Sequence, residues 1–348
     1  MVASDQLTMT AMKQASTLTA LAAVSLVLAA GWPSDAAARS SLRSADQECA
    51  DTANAEAAIS ACTGLYENRG LGRRNRAIAL GNRGAAYKVI GRYDEAIADF
   101  GRAIELDPSN AQYYCQRGDV RVRTGANNEA VSDYTAALQS SPRLLWGYYG
   151  RGQAHLAMGN AQPAIADFNA ALRLKPDSIN VLVLRGRANN LAKFYDAAIA
   201  DLTDAIVHPK VASLLPKERA VIFTQRAYAL AKADRAAEAG TDIAEALRLA
   251  PQVPFTIAVS GLVDEKQGRM SEARDAYNRA LAIEPKLALA KAGLDRIAGA
   301  PQAETSEASE PPAKSEPLAR ADEPAGGGET CARYVPEIGR TVKVKCAD

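Results

Sequence analysis

The side chains that most often do chemistry are scarce in this sequence. There are two histidines in 348 residues, and imidazole is both the usual general base and the commonest zinc ligand. His155 falls at an inward place in a helical pattern and reads as a satisfied core histidine. His208 stands beside Pro209 and reads as a surface loop residue. The five cysteines, Cys49, Cys62, Cys115, Cys331 and Cys346, form no Cys-x-x-Cys, and no His-Glu-x-x-His occurs. Gly70-x-Gly72 runs into arginines without a preceding strand, so it is no phosphate cradle. Cys115 has no histidine near it and reads as an unpaired thiol rather than a nucleophile. No catalytic residue, cofactor site or metal site is predicted, and the chain reads as a non-enzyme.

The charged residues that do recur are ordered. Arg83, Arg117, Arg151, Arg185 and Arg226 are followed, sixteen residues later in each case, by Asp99, Asp133, Asp167, Asp201 and Asp242. A guanidinium and a carboxylate match as a bidentate pair. A sixth register position carries Ser260 and Ala276 instead, so the two partners are present together and absent together. That predicts structural ion pairs across two helices, within a unit or between neighbours. The competing reading is a basic stripe for an acidic ligand, and the matching aspartates argue against it. With 41 basic and 40 acidic residues and a net charge of +1, the totals point to no nucleic-acid partner.

The elements that must carry these residues follow from an internal repeat. Gly84, Gly118, Gly152 and Gly186 are 34 residues apart, and the register resumes at Ala227 and Gly261 after an insertion of seven residues around 208–218. Small residues recur at positions 8, 20 and 27 of each unit, an aromatic often at 24, glycine often at 15 and proline near 32. The first unit shows Gly84, Gly91, Ala96, Phe100, Ala103 and Pro108; the third shows Gly152, Gly159, Ala164, Phe168, Ala171 and Pro176. This predicts two helices per unit, brought close by the small residues, with the aromatic between them. Glycine makes the turn and proline ends the second helix. Units four and five depart most, with Lys193 and Asp234 in the turn position.

In period, order and residue type the pattern resembles the tetratricopeptide repeat family over residues 77–285. The resemblance implies an all-α solenoid, a right-handed superhelix of helix pairs, whose inner groove is lined by first-helix positions. Those positions are Gln112, Cys115, Gln116 and Asp119 in unit two, Trp146, Tyr149 and Gln153 in unit three, and Asn180, Val183 and Arg187 in unit four. Trp146 and Tyr149 share a helical face and are either aromatic anchors or packing against neighbouring units. The family's carboxylate clamp for chaperone tails is not matched, because its places hold Gly81, Ala85, Gln116, Trp146 and Gly150.

The ends complete the expected layout. Residues 1–38 read as a signal peptide, with Lys13 before the apolar run Leu18–Ala30 and cleavage after Ala38; Met12 is an alternative start. Periplasmic or secreted localisation follows, with no membrane insertion after cleavage. Residues 39–76 read as a half repeat lacking its first helix and pinned by a Cys49–Cys62 bridge. Residues 77–298 form six units and a closing helix over 286–298. Residues 299–330, with five prolines and seven acidic against two basic residues, read as a disordered linker. Residues 331–348 read as a small hairpin closed by Cys331–Cys346. The expected function is a monomeric, non-catalytic envelope scaffold binding a partner protein segment in its groove. The alternative is a structural tether whose hairpin binds a wall polymer or membrane surface.

Overall fold

The structure, a computed structural model, describes residues 45–299 and the strand residues 330–335 and 340–345. Residues 45–50 are helical. Asp51 then breaks the chain by accepting a hydrogen bond from the Ala53 amide, and a short 3-10 turn, Thr52–Asn54, leads into α1 (Ala55–Glu67). This late start folds Cys49 back to Cys62: their Cα atoms are 4.7 Å apart and their sulfurs 2.17 Å, in disulfide geometry. Residues 45–50 are thus helical at the place where a first helix was expected to be missing.

Six helix pairs follow: α2 (Arg73–Val89) with α3 (Tyr93–Leu106), α4 (Ala111–Arg123) with α5 (Asn127–Ser140), and α6 (Leu145–Ala157) with α7 (Ala161–Leu174). Then come α8 (Ile179–Leu191) with α9 (Tyr195–Val207), α10 (Pro216–Lys232) with α11 (Ala236–Leu249), and α12 (Pro254–Lys266) with α13 (Met270–Ile283). The closing helix α14 (Ala288–Gly299) buries Ile297, with Leu287 and Leu294 packed alongside. The insertion is a 3-10 turn, Pro209–Ser213, started by His208, whose Nδ1 accepts from the Lys210 amide. In their own unit, β1 (Thr330–Val335) and β2 (Arg340–Lys345) pair antiparallel, with Cys331 opposite Val344. Cys346, the proposed linker and the signal segment lie outside the described residues.

Within a unit the two helices touch through the repeat's small residues. Phe100, Tyr134, Phe168 and Tyr277 are buried. A Cβ placed on Gly84, Gly118, Gly152 or Gly261 would stand 2.7–3.0 Å from the facing ring, closer than atoms pack. Gly91, Gly125, Gly159 and Gly268 make the turns at φ near +80° (79, 81, 80 and 79°). Lys193 and Asp234 adopt the same left-handed conformation, at φ 64° and 59°, against the steric preference of an L-residue. The array, not the local residue, sets that turn.

The five Arg–Asp pairs form within units, each bidentate. In unit three Arg151 Nε and Nη2 donate to Asp167 at 2.9 and 2.7 Å, and the five aspartates are all buried. The remaining nitrogen reaches backwards. Nη1 of Arg83, Arg151, Arg185 and Arg226 donates to Thr63, Thr135, Asn169 and Thr203 at 2.9, 3.1, 2.7 and 3.0 Å, each on the preceding second helix. The ion pairs are therefore a ladder that sets both the angle within a unit and the register between units. In unit six Ser260 Oγ donates to its own helix, to the Ile257 carbonyl, and Ala276 is buried.

Candidate docking surface on the first helices

First helices of neighbouring units pack on one another more than second helices do, so the first-helix face is the inner side of the array. Gln112 and Asn180 are exposed on it, and Gln116, Asp119, Gln153, Val183 and Arg187 are half-buried. Trp146 is 44% exposed, whereas Tyr149 and Cys115 are 7% and 4% exposed. Tyr149 therefore supports the surface from behind. Its ring meets Trp146 edge-on at 5.5 Å, and its hydroxyl accepts from Gln153 Nε2 at 3.3 Å. Burial, reinforced by the charge of Asp119 and opposed by Arg187, raises its pKa.

Gln116 and Asp119 of unit two are tied up internally. Lys88, which the pattern did not single out, donates to Gln116 Oε1 and stands 3.9 Å from Asp119. Asp119 also accepts from the Tyr134 hydroxyl at 2.6 Å. Burial lowers the Lys88 pKa, with Asp119 opposing and Arg123 adding to the shift. Burial, then Asp119 and Asp133, pushes the Cys115 thiol up to about 12, so it stays protonated at neutral pH.

His155 departs from the expectation of a satisfied core residue. It occupies the place from which Arg121 in unit two and Asn189 in unit four donate to the unit's aspartate, at 2.7 and 2.9 Å. His155 makes no such bond, and its buried Nδ1 has no partner. It borders a cleft of about 220 Å³ with Thr135, Arg151, Pro163 and Asp167.

Units four to six add residues that carry no repeat signature, on the first helices and, at Tyr195, on the first residue of α9. Asn190 Nδ2 donates to the Gln225 carbonyl and to its side-chain oxygen at 3.0 and 3.1 Å, joining α8 to α10. The rings of Tyr195, Tyr228 and Phe255 follow one another at 6.4 and 6.1 Å, with Lys232 over Tyr228 at 5.8 Å. Their signal in the sequence is position alone, and units four and five depart most from the repeat. Among the described residues no three His, Cys, Asp or Glu side chains are placed to hold a metal. Nor is any described helix long and apolar enough to cross a membrane.

Three tetratricopeptide repeat models match the sequence, over residues 77–110, 111–144 and 149–211. No protein of curated function matches it. Among solved structures, Cut9 in its complex with Hcn1 superposes with a TM-score of 0.57 at 19% identity, covering 74% of this chain and 48% of that one. The chain thus spans about half the length of that relative. A tetratricopeptide repeat protein from Parabacteroides merdae gives 0.54 at 17% identity, covering 74% and 99%. PilF from Pseudomonas aeruginosa gives 0.52 at 15% identity, covering 64% and 99%. These likenesses are of fold. With its helix pairs, turn glycines and interlocked small and aromatic residues, the chain carries tetratricopeptide repeats within residues 77–211.

Proposed function

We propose that this is a non-catalytic adaptor of the cell envelope, holding a segment of a partner protein on the first-helix face. The observation that carries the reading is Trp146: a large apolar ring, 44% exposed, on the inner side of the array, held edge-on by a buried tyrosine. A pre-positioned aromatic loses little side-chain entropy on binding and dominates interfaces of this kind. Export rests on the signal-like residues 1–38. The Cys49–Cys62 geometry supports it, because an oxidised pair persists in a compartment outside the cytosol. The test is a photo-crosslinking residue in place of Trp146 in cells, with exposed Glu129 on a second helix as control. A discrete adduct from position 146 alone is expected; none, from folded and exported protein, overturns the reading.

The β1–β2 pairing favours a second reading, in which the C-terminal hairpin is a binding head. Deleting residues 299–348 separates the two: the adaptor keeps its partner, the tether loses its target.

A further inference from the structure

Lys232 sits on the inner side of α10, half-buried, and among the described residues no carboxylate lies within ion-pair distance of it. Its contact is the Tyr228 ring at 5.8 Å. The charges that act on it are mostly of its own sign: Arg296, Lys266 and Lys193, opposed by Glu265. Those neighbouring carboxylates are already engaged. Glu265 is held by Arg296 through two bonds of 2.7 and 2.8 Å and accepts from the Tyr277 hydroxyl at 2.7 Å. Asp234 is paired with Lys266 at 2.6 Å. Burial, then Arg296 and Lys266, lowers the Lys232 pKa, because both disfavour its charged form. The contrast with the ladder is sharp, since all five of its arginines have their carboxylate.

Apolar surface is exposed near this charge. Leu191 and Phe194 are 47% and 49% exposed. Phe194 borders a cleft of about 490 Å³, together with Lys193, Tyr195, Asp196, Ala197 and Ala233. The one carboxylate in that wall, Asp196, acts on Arg235. Positive charge at Lys193 and Lys232 beside the exposed Phe194 ring selects a ligand with both characters.

We propose that this corner, at the turn end of units four and five, binds an acidic peptide segment of a partner protein. Aspartate or glutamate side chains meet Lys232 and Lys193, and an adjacent aromatic residue packs on Phe194 and Leu191. The proposal rests on the first-helix face being the docking surface and names the chemistry of its partner.

The probe is a fluorescent, end-blocked octapeptide of glutamates and aspartates around one phenylalanine, titrated by anisotropy against the full chain at low salt. Wild type binds, and Lys232→Glu and Phe194→Ser each weaken binding at least tenfold while keeping the wild-type circular dichroism spectrum. A Gln/Asn version of the probe does not bind, and Glu129→Ala, at an exposed second-helix position, binds as wild type does. Several results overturn the proposal: no binding by wild type, equal binding of the neutral probe, indifference to both site variants, or an equal loss of binding in Glu129→Ala. So does binding of phosphatidylglycerol vesicles through Lys232 in place of the peptide. An adduct from position 146 in cells combined with any of these keeps the adaptor and removes this site; loss of that adduct with intact probe binding does the reverse.

Discussion

Nη1 of Arg117 lies 3.6 Å from the point where a Cβ on Gly101 would stand. At the equivalent place in the neighbouring units, Thr63, Thr135, Asn169 or Thr203 supplies an oxygen to the next arginine. Gly101 supplies none, so the junction between units one and two is the weak rung of the ladder. Gly101→Thr restores the rung in ordinary van der Waals space. It also removes a helical glycine, and together these raise stability by about 1 kcal/mol. The check is a higher urea midpoint for the variant.

Gly152 and Phe168 interlock, with a Cβ on the glycine falling 2.7 Å from the ring. Gly152→Ala therefore destabilises by about 1–3 kcal/mol. The fifth unit carries Ala227 with Ile243 at these two places. The double variant Gly152→Ala with Phe168→Ile recovers part of that loss, read as a coupling in a double-mutant cycle of urea midpoints.

His155 makes stability depend on pH. Burial and the Arg151 charge hold its folded pKa below the ordinary 6.5, with Asp167 opposing. Just below pH 6.5 the unfolded chain then binds more protons than the folded one. Its contribution is intact above 6.5 and is lost as pH falls from there through the folded value. His155→Gln flattens this part of the profile, measured as melting temperature between pH 5 and 7.5.

Cys49 and Cys62 close a loop of sequence separation 13. Opening it by Cys62→Ala costs about 3 kcal/mol in the N-terminal segment through released chain entropy. Faster hydrogen exchange in α1, with α12 unchanged, is the expected result, since each unit contacts only its neighbours.

Lys193 holds a positive φ that glycine adopts freely. Lys193→Gly stabilises by about 1 kcal/mol and weakens binding of the acidic probe. Those opposite signs are read from a melting curve and a titration on one protein.

The helix pairs were legible because packing demands the same residue types at the same places six times over. The candidate surface was legible only as a set of positions. Which of Trp146 and Tyr149 stays exposed depends on how far the neighbouring units overlap them. Lys88, Lys232 and Glu265 carry no motif; they matter through residues about 30 positions away, such as Gln116 and Arg296.

By itself, the sequence determined the two-helix unit, its turns and the pairing of arginine with aspartate, because these are local demands of close approach and charge that each unit repeats. The tertiary structure alone decided the direction of the third guanidinium nitrogen, the unpartnered Nδ1 of His155 and the crowding of cations around Lys232. The first and last of these arise where one unit stacks on the next, and stacking geometry is set by the summed packing of two faces rather than by any residue in either; the His155 nitrogen depends on the packing of the two helices within its unit.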